Sequence, residues 1–217
     1  MTSYKTTAIV LSKKSWRESD LLFSFYTEDF GKVEAVAIGS QKIKSKLVGH
    51  LSTLGLVEIN FVQGKVFKKL THAYLIENLS SKSDEDYLFT NLVLEIVNRS
   101  LQVDYPQNEI WKILVWAISE IEKSGSYDKK KLIINIFNLL LLKILGYQIQ
   151  FTQNLICREI NMSLDKPAYE LVSKIQKKES VVDLRLQKRS NDKLFTFLHK
   201  YLQHVIERKI SSFDLIK

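Results

Sequence analysis

The hydrophobic pattern of the chain changes its period near residue 80, and this change limits the possible folds more than any other feature. Before it, short runs of apolar and β-branched residues alternate with turn-like gaps, which is typical of β-strands. We predict five strands, at residues 6–12, 21–27, 33–38, 54–62 and 66–76. The gaps between several of them carry Gly and polar residues suited to hairpin turns. Five strands in about seventy residues predict a small barrel.

Beyond residue 80, apolar residues recur at spacings of three and four, which predicts amphipathic helices. The segment 81–86 offers a hydroxyl cap and first-turn carboxylates for the first of them. A second helix is predicted to open at Pro106. The segment from Lys129 to Gly146 is apolar nearly all round, so we expect it at the centre of the helical part.

The remainder of the chain gives a weaker pattern. We predict a helix from Pro167, a strand or extended segment at 181–186, and a final helix capped by residues 190–192. The expected fold class is therefore α+β, with a five-stranded barrel domain at residues 1–80 and an all-helical domain at residues 81–217.

Composition narrows the classes of partner. The 217 residues carry a formal net charge of +8, which favours polyanions such as nucleic acid or an acidic membrane face. The most apolar run, residues 132–145, is shorter than the roughly 20 residues of a membrane span, so we predict a core helix there. Of the two polyanions we expect nucleic acid, and no membrane partner. The N-terminus lacks the pattern of a secretory signal, and a single cysteine suits a reducing compartment, so we expect a cytoplasmic protein.

Catalytic motifs are not apparent in the sequence. The four histidines are not spaced as metal ligands, and the glycine-rich phosphate loops are missing, so we predict no catalytic residues, metal or cofactor. Cys157 is either a reactive thiol assisted by Arg158 or a buried structural thiol.

Cationic residues are grouped in three places within the predicted barrel. These candidate DNA-binding residues are Lys13, Lys14 and Arg17; Lys42, Lys44 and Lys46; and Lys65, Lys68 and Lys69. If the middle group lies in an extended segment, its alternating lysines share one face and can meet successive phosphates. Solvated surfaces would explain the same charges. Trp16, Phe67 and Tyr74 could supply stacking platforms for bases, or they could pack in the core.

Small five-stranded barrels are often oligonucleotide-binding (OB) folds, and several stretches of this chain resemble one bacterial family in order and spacing. The N-terminal ones are YKTTAIVL at 4–11, RESDLL at 17–22, YTEDFGK at 26–32 and GSQKIKSK at 39–46. The C-terminal ones are LKILGY at 142–147, LHKYLQH at 198–204 and ISS at 210–212. Together they resemble the RecO family of recombination-mediator and DNA repair proteins.

The resemblance implies a DNA repair protein that is not an enzyme. Its expected activities are binding of single- and double-stranded DNA and annealing of complementary strands. The implied partners are RecR and the C-terminal tail of single-strand-binding protein, and together they would help to load recombinase on coated DNA. The implied location is cytoplasmic and nucleoid-associated.

Two features depart from the family pattern. Many members carry a four-cysteine zinc site after the segment that LKILGY resembles, whereas this chain has only Cys157. We therefore expect a degenerate zinc region at about 150–190 that is held by apolar packing without metal. The loop with Lys42, Lys44 and Lys46 also replaces the arginines common in the family, which keeps the charge but loses the bidentate fork.

Two other functions remain open. The helical domain could be a protein-interaction scaffold with only incidental DNA binding, or the chain could be a hydrolase with an unrecognised site. An acidic peptide with an apolar end would fit an apolar groove edged by cations. Lys129, Lys130 and Lys131 are the candidate residues for such a partner, unless they are simply the solvated end of a core helix.

Overall fold

A computed structural model of the chain describes residues 2–42, 47–51, 55–79, 83–177 and 186–216. The chain divides into two compact units, residues 1–111 and residues 112–217. These units are defined by spatial contacts, whereas the boundary at residue 80 was placed where the sequence pattern changes. That boundary stays a prediction.

The first unit is built around five strands, close to the five predicted positions. They are β1 (Ser3–Arg17), β2 (Asp20–Thr27), β3 (Gly31–Ala37), β4 (Gly55–Gln63) and β5 (Lys68–Asn78). These strands form a closed barrel in the order β1–β2–β3–β5–β4. The β3–β5 pair is parallel and the other pairs are antiparallel. The predicted α+β class with an N-terminal five-stranded barrel is confirmed.

Alternating residues of the strands fill the barrel with aromatic and branched side chains. Phe23, Phe25 and Val33 are fully buried, and Phe61 is nearly so. Removing such side chains from water is the main stabilising contribution to a core of this kind.

Strand β1 is longer than the predicted 6–12 because it serves both sides of the barrel. Its first half, Ser3 to Ile9, pairs with β4, and its second half, Ala8 to Arg17, pairs with β2. Register shifts follow Val10 and Ser15, where bulges bend the strand. Residues 13–17 are polar or exposed, so their strand lacks the apolar alternation that reveals a strand in sequence.

Helices α1 (Leu47–His50) and α2 (Asp84–Ser100) complete the regular structure of this unit before residue 101. The Ser83 side chain caps α2 by accepting a hydrogen bond from the Asp86 backbone N–H at 3.2 Å. This bond confirms the predicted hydroxyl cap. Helix α2 packs against β1 and β2.

A buried lysine joins β3 to the C-terminal end of α2. Lys32 is 5% exposed, and its Nζ donates hydrogen bonds to Asn98 O at 2.5 Å and Leu101 O at 3.3 Å. The last carbonyls of a helix lack intrahelical donors and carry partial negative charge, so an ammonium group is stabilising there.

The segment after α2 then runs along the barrel. Asp104 donates its backbone N–H to Lys32 O at 2.8 Å, and the Tyr26 hydroxyl donates to Gln107 O at 3.0 Å. Burial raises the pKa of Tyr26 to about 12. These contacts fasten residues 104–107 to the barrel within the first compact unit.

We expect the substitution Lys32→Met to lower the free energy of unfolding by about 2 kcal/mol, because two carbonyls at the end of α2 lose a charged donor. Urea-induced unfolding followed by circular dichroism would measure the change. Lys5→Met is the matched control, since Lys5 on β1 forms an exposed ion pair with Glu58 at 3.0 Å that should contribute less than about 1 kcal/mol. Equal losses in the two variants would contradict the capping role.

The second unit is helical. Helix α3 (Asn108–Lys123) crosses the boundary between the units and is followed by α4 (Tyr127–Ile144), α5 (Lys166–Gln176) and α6 (Lys188–Ile206). Two short strands, β6 (Ile156–Cys157) and β7 (Met162–Ser163), form a hairpin before α5, and a 3-10 helix (Ser211–Leu215) follows α6. Helix α4 packs against α5 and α6 and buries much of its length, so the prediction of a core helix at 132–145 is confirmed.

The predicted cap at 190–192 is wrong, because α6 begins two residues earlier and these side chains make contacts between segments. Ser190 Oγ donates to Asp165 Oδ2 at 2.9 Å, and Asn191 Oδ1 accepts from Asn135 Nδ2 at 2.8 Å. Polar side chains at a buried helix start thus satisfy partners on α4 and before α5. Of the segment 181–186, which was predicted as a strand or extended, residues 181–185 lie outside the described residues.

Aromatic rings pack together in the region at about 150–190, where a degenerate zinc site was expected. Phe151 lies 5.3 Å from the Tyr169 ring and 5.7 Å from the Phe197 ring, measured between centroids. Within the described part of the chain, no group of three or more His, Cys, Asp or Glu residues is placed to hold a metal ion.

Candidate nucleic-acid interface

Three loops that carry the predicted cations meet at one end of the barrel. The first two are the β1–β2 turn and the loop after β3. The Gln41 backbone N–H donates to Ser19 O at 3.0 Å, and Gly39 N donates to Asp20 Oδ1 at 2.7 Å. These bonds hold Lys42, the next residue, beside the turn that follows Arg17.

The β4–β5 hairpin reaches the same place through an aromatic contact. The Phe67 ring lies 6.3 Å from the Trp16 ring in an edge-on arrangement, and the Arg17 guanidinium carbon lies 5.9 Å from the centre of the Phe67 ring. A guanidinium over an aromatic face at this distance is a favourable cation–π contact. Phe67 therefore joins the β1–β2 hairpin to the β4–β5 hairpin.

The parallel pairing of β3 and β5 fixes the remaining geometry. Val36 on β3 pairs with Lys69 on β5, so the loop that leaves β3 starts next to the strand that leaves the β4–β5 hairpin. We use the name barrel-end cluster for six residues of these loops and of the strand ends next to them. Its members are Trp16, Arg17, Lys42, Lys65, Phe67 and Lys69.

The predicted cations differ in how they are presented. Arg17, Lys42 and Lys65 are exposed, and Lys69 is partly buried. Lys13 and Lys14 are exposed on β1 as it approaches the cluster. Lys44 and Lys46 lie outside the described residues. Phosphate binding by all of these residues stays a prediction.

Lys68 is held by an ion pair within the first unit. Its Nζ lies 2.6 Å from Asp104 Oδ2, and its side chain is only 15% exposed. A phosphate would have to compete with this carboxylate, so Lys68 is a weaker candidate than Lys65 or Lys69. This ion pair was not predictable from local pattern, because the partners are 36 residues apart.

Exposed apolar side chains accompany the cations at this end of the barrel. Trp16 is 44% exposed, Ile38 54% and Val66 88%, and each lies on one of the three converging segments. Sequence reasoning missed Ile38 and Val66, although each stands next to a turn glycine or a cation. Tyr74, another predicted platform, is exposed farther along β5, where it pairs with Glu58.

The candidate partner-binding triplet is mostly buried. Lys130 is 3% exposed and Lys131 8%. Lys131 Nζ lies 2.6 Å from Asp192 Oδ1, and it also lies 5.5 Å from the centre of the Phe195 ring. Partner binding at this triplet stays a prediction, and only Lys129 is exposed for it.

Cys157 has the properties of a structural thiol. It is fully buried, and its Sγ donates a hydrogen bond to Glu159 Oε2 at 2.9 Å. Burial, reinforced by this hydrogen bond, raises the pKa of the Cys157 thiol to about 11. The thiolate is the reactive species, so this environment suppresses nucleophilic chemistry.

We expect Cys157 to react with a disulfide reagent roughly 100-fold more slowly at pH 8 in the native protein than in concentrated urea, because the native thiolate fraction is small. Release of the coloured thiol would report the rate without ambiguity, since the chain has one cysteine. Rapid labelling of the native protein would instead support the reactive-thiol alternative.

Among the helices that the structure describes, none is both long and apolar enough to cross a membrane. The first unit is a closed five-stranded barrel of the OB type that presents cations and aromatic rings at one end, and it precedes a helical unit. Sequence comparisons give this class of protein a family. The family model described as Recombination protein O N terminal matches residues 1–79, and that described as Recombination protein O C terminal matches residues 85–213. The chain belongs to the RecO family.

Individual relatives agree with this assignment. The chain is 28% identical over 156 residues to the DNA repair protein RecO of Clostridium novyi, and 28% identical over 165 residues to that of Listeria innocua. These alignments cover 71% and 74% of this chain but only 60% and 63% of the relatives. The DNA repair protein RecO of Caldicellulosiruptor saccharolyticus is 20% identical over 240 aligned positions, which cover 98% of this chain and 97% of the relative.

Proposed function

We propose that this protein is a DNA repair and recombination mediator that binds single- and double-stranded DNA through its barrel and anneals complementary strands. The observation that carries the proposal is the convergence of Arg17, Lys42, Lys65 and Lys69, which lie in three loops and the strand ends next to them, at one end of an OB barrel. Cations grouped in this way suit the phosphate backbone, which supplies much of the affinity of proteins for DNA.

Annealing follows from electrostatics without a catalytic group. Two complementary strands repel each other, and a protein that neutralises both lowers that repulsion so that bases can pair. A net charge of +8 supports this role at long range. No residue is assigned to bond-making or bond-breaking, so the proposal is for a protein that is not an enzyme.

The proposal includes two protein partners. RecR would act with this chain, and the acidic C-terminal tail of single-strand-binding protein would bring it to coated DNA, where recombinase is then loaded. The basis for both is membership of the family. The alignments with the Clostridium novyi and Listeria innocua relatives cover only 60% and 63% of those proteins, so both partners are proposals, and neither is assigned to a surface of this chain.

Salt dependence should reveal how many phosphates the barrel meets. If the four cations of the barrel-end cluster each contact one phosphate, the slope of log K against log salt is about −2.8 to −3.6. A fourfold rise in salt would then weaken binding on the order of 50- to 150-fold. Fluorescence anisotropy of a labelled oligonucleotide at several salt concentrations would measure the slope.

Annealing of complementary oligonucleotides coated with single-strand-binding protein is the direct test. We expect this protein to accelerate annealing at low salt and to lose that effect as salt rises. No acceleration with or without RecR, despite tight DNA binding, would overturn the mediator function and favour the scaffold. Measurements on uncoated strands separate a failure to anneal from a failure to displace the coating protein.

A further inference from the structure

The barrel-end cluster contains more than a phosphate site requires. Duplex DNA presents phosphates to a protein surface, and lysines are sufficient to bind them. This surface also exposes Trp16, Ile38 and Val66 among its cations. Large apolar side chains next to cations suit a ligand that has both charge and exposed apolar faces, which describes single-stranded nucleic acid.

Trp16 is the best placed of the three to stack on a base. It lies where the β1–β2 register shifts, between Ser15, which pairs with Leu21, and Arg17, which pairs with Asp20. Such a bulge turns a side chain away from the regular pattern of the strand. The edge-on contact with Phe67 supports the indole ring from a second hairpin, yet leaves it 44% exposed.

Charge surrounds this ring on several segments. The Arg17 guanidinium lies over the Phe67 ring, and Lys65 lies two residues before Phe67 on the same hairpin. Exposed Lys14 lies two residues before Trp16 on β1. A strand whose phosphates meet these cations would therefore have bases within reach of the indole.

We propose, resting on the DNA-binding function above, that Trp16 braced by Phe67 is a stacking platform for unpaired bases, by which the barrel end distinguishes single-stranded from double-stranded DNA. The lysines would bind phosphates of either form. Paired bases in a duplex already stack on each other, and only an unpaired base offers its face to the indole ring.

Tryptophan fluorescence tests the contact without altering Trp16. The chain has three tryptophans, so the double variant Trp111→Phe, Trp116→Phe leaves Trp16 as the only one. We expect saturable quenching of its emission by an oligothymidylate. An abasic oligonucleotide of the same length has the same phosphates without bases, and it should bind with little quenching. A blunt duplex should also bind with little quenching.

Substitution supplies an independent measure. Trp16→Ala should weaken binding of the oligothymidylate on the order of 10-fold, and should leave the affinities for the abasic strand and the duplex within about twofold. Trp16→Phe should restore most of the loss because it retains an aromatic face. Thermal unfolding of each variant would show whether the barrel is intact.

The outcomes separate this inference from the function on which it rests. Tight binding of all three ligands without selective quenching, or an equal loss for all three in Trp16→Ala, would overturn the stacking platform and keep a phosphate-binding barrel. No measurable binding of any ligand by the unaltered protein would overturn both. Selective quenching together with a selective loss would support both.

Discussion

Alanine at position 31 is expected to lower the free energy of unfolding by about 3 kcal/mol, because two separate costs meet there. Gly31 opens β3 with a φ of +65°, a conformation that costs residues with a β-carbon about 1–2 kcal/mol. A β-carbon at this position would also lie 2.5 Å from Tyr105 O and 2.8 Å from Pro106 Cα. Since both are backbone atoms, the segment after α2 would have to move.

That movement would disturb the contacts that fasten the segment to the barrel. Asp104 N bonds to Lys32 O, and Gln107 O accepts from the Tyr26 hydroxyl. Each hydrogen bond contributes about 1 kcal/mol when both groups are otherwise removed from water. Urea unfolding of Gly31→Ala would give the total effect.

Two other glycines separate the conformational cost from the clash. Gly146 has a φ of +85° with nothing within 4 Å of its β-carbon position, so Gly146→Ala should lose only about 1 kcal/mol. Gly125 has neither constraint, and Gly125→Ala should be neutral or slightly stabilising. If Gly31→Ala costs no more than Gly146→Ala, the close approach of residues 105–106 contributes nothing.

Reversing three charges of the barrel-end cluster should weaken DNA binding on the order of 100-fold or more at low salt. The variant carries Lys42→Glu, Lys65→Glu and Lys69→Glu. Each substitution removes a phosphate contact and places a carboxylate near phosphate, and such like-charge contacts cost several kcal/mol together. The slope of log K against log salt should become less negative by about 2 to 3, because three phosphate contacts are lost.

A matched variant distinguishes the site from net charge. Lys112→Glu, Lys166→Glu and Lys174→Glu reverse three exposed lysines of the second unit. Both triple variants lower the net charge from +8 to +2, because each reversal removes two charges. We expect a modest loss from the second-unit variant. Equal losses would show that binding depends on overall charge and not on the barrel end.

The functional readout should follow the binding. Annealing of complementary strands should slow in the barrel-end variant and stay close to normal in the matched one. Further reversal of Lys44 and Lys46, which lie outside the described residues, tests whether the loop extends the same surface. If the five-site variant binds DNA as well as the three-site variant does, Lys44 and Lys46 do not contribute to the interface.

The strands were predictable where burial imposes an alternation on the sequence. Phe23 and Phe25 face the core at a spacing of two, and β2 was accordingly placed within one residue of its observed start. The end of β1 from Lys13 to Arg17 was missed, because these residues are exposed and carry no such alternation. Local pattern reveals a strand only when one of its faces is buried.

The surroundings of individual lysines could not be predicted from the sequence. Lys32, Lys68 and Lys131 carry the same charge as Lys65, but their positions in the fold differ. Lys32 caps a helix, Lys68 pairs with Asp104, and Lys131 pairs with Asp192. These partners are far away in the sequence, so residue type and spacing do not distinguish a buried ammonium from an exposed one.

By itself the sequence determined the order of a barrel followed by helices, the approximate positions of the five barrel strands and of the main helices, the excess of positive charge and the family. These properties follow from local periodicity, composition and motif order, which are written along the chain. Only the tertiary structure decided which cations share a surface. Barrel closure pairs β3 with β5 and brings Phe67 against Trp16 and Arg17, and such contacts depend on strand pairing between segments distant in sequence.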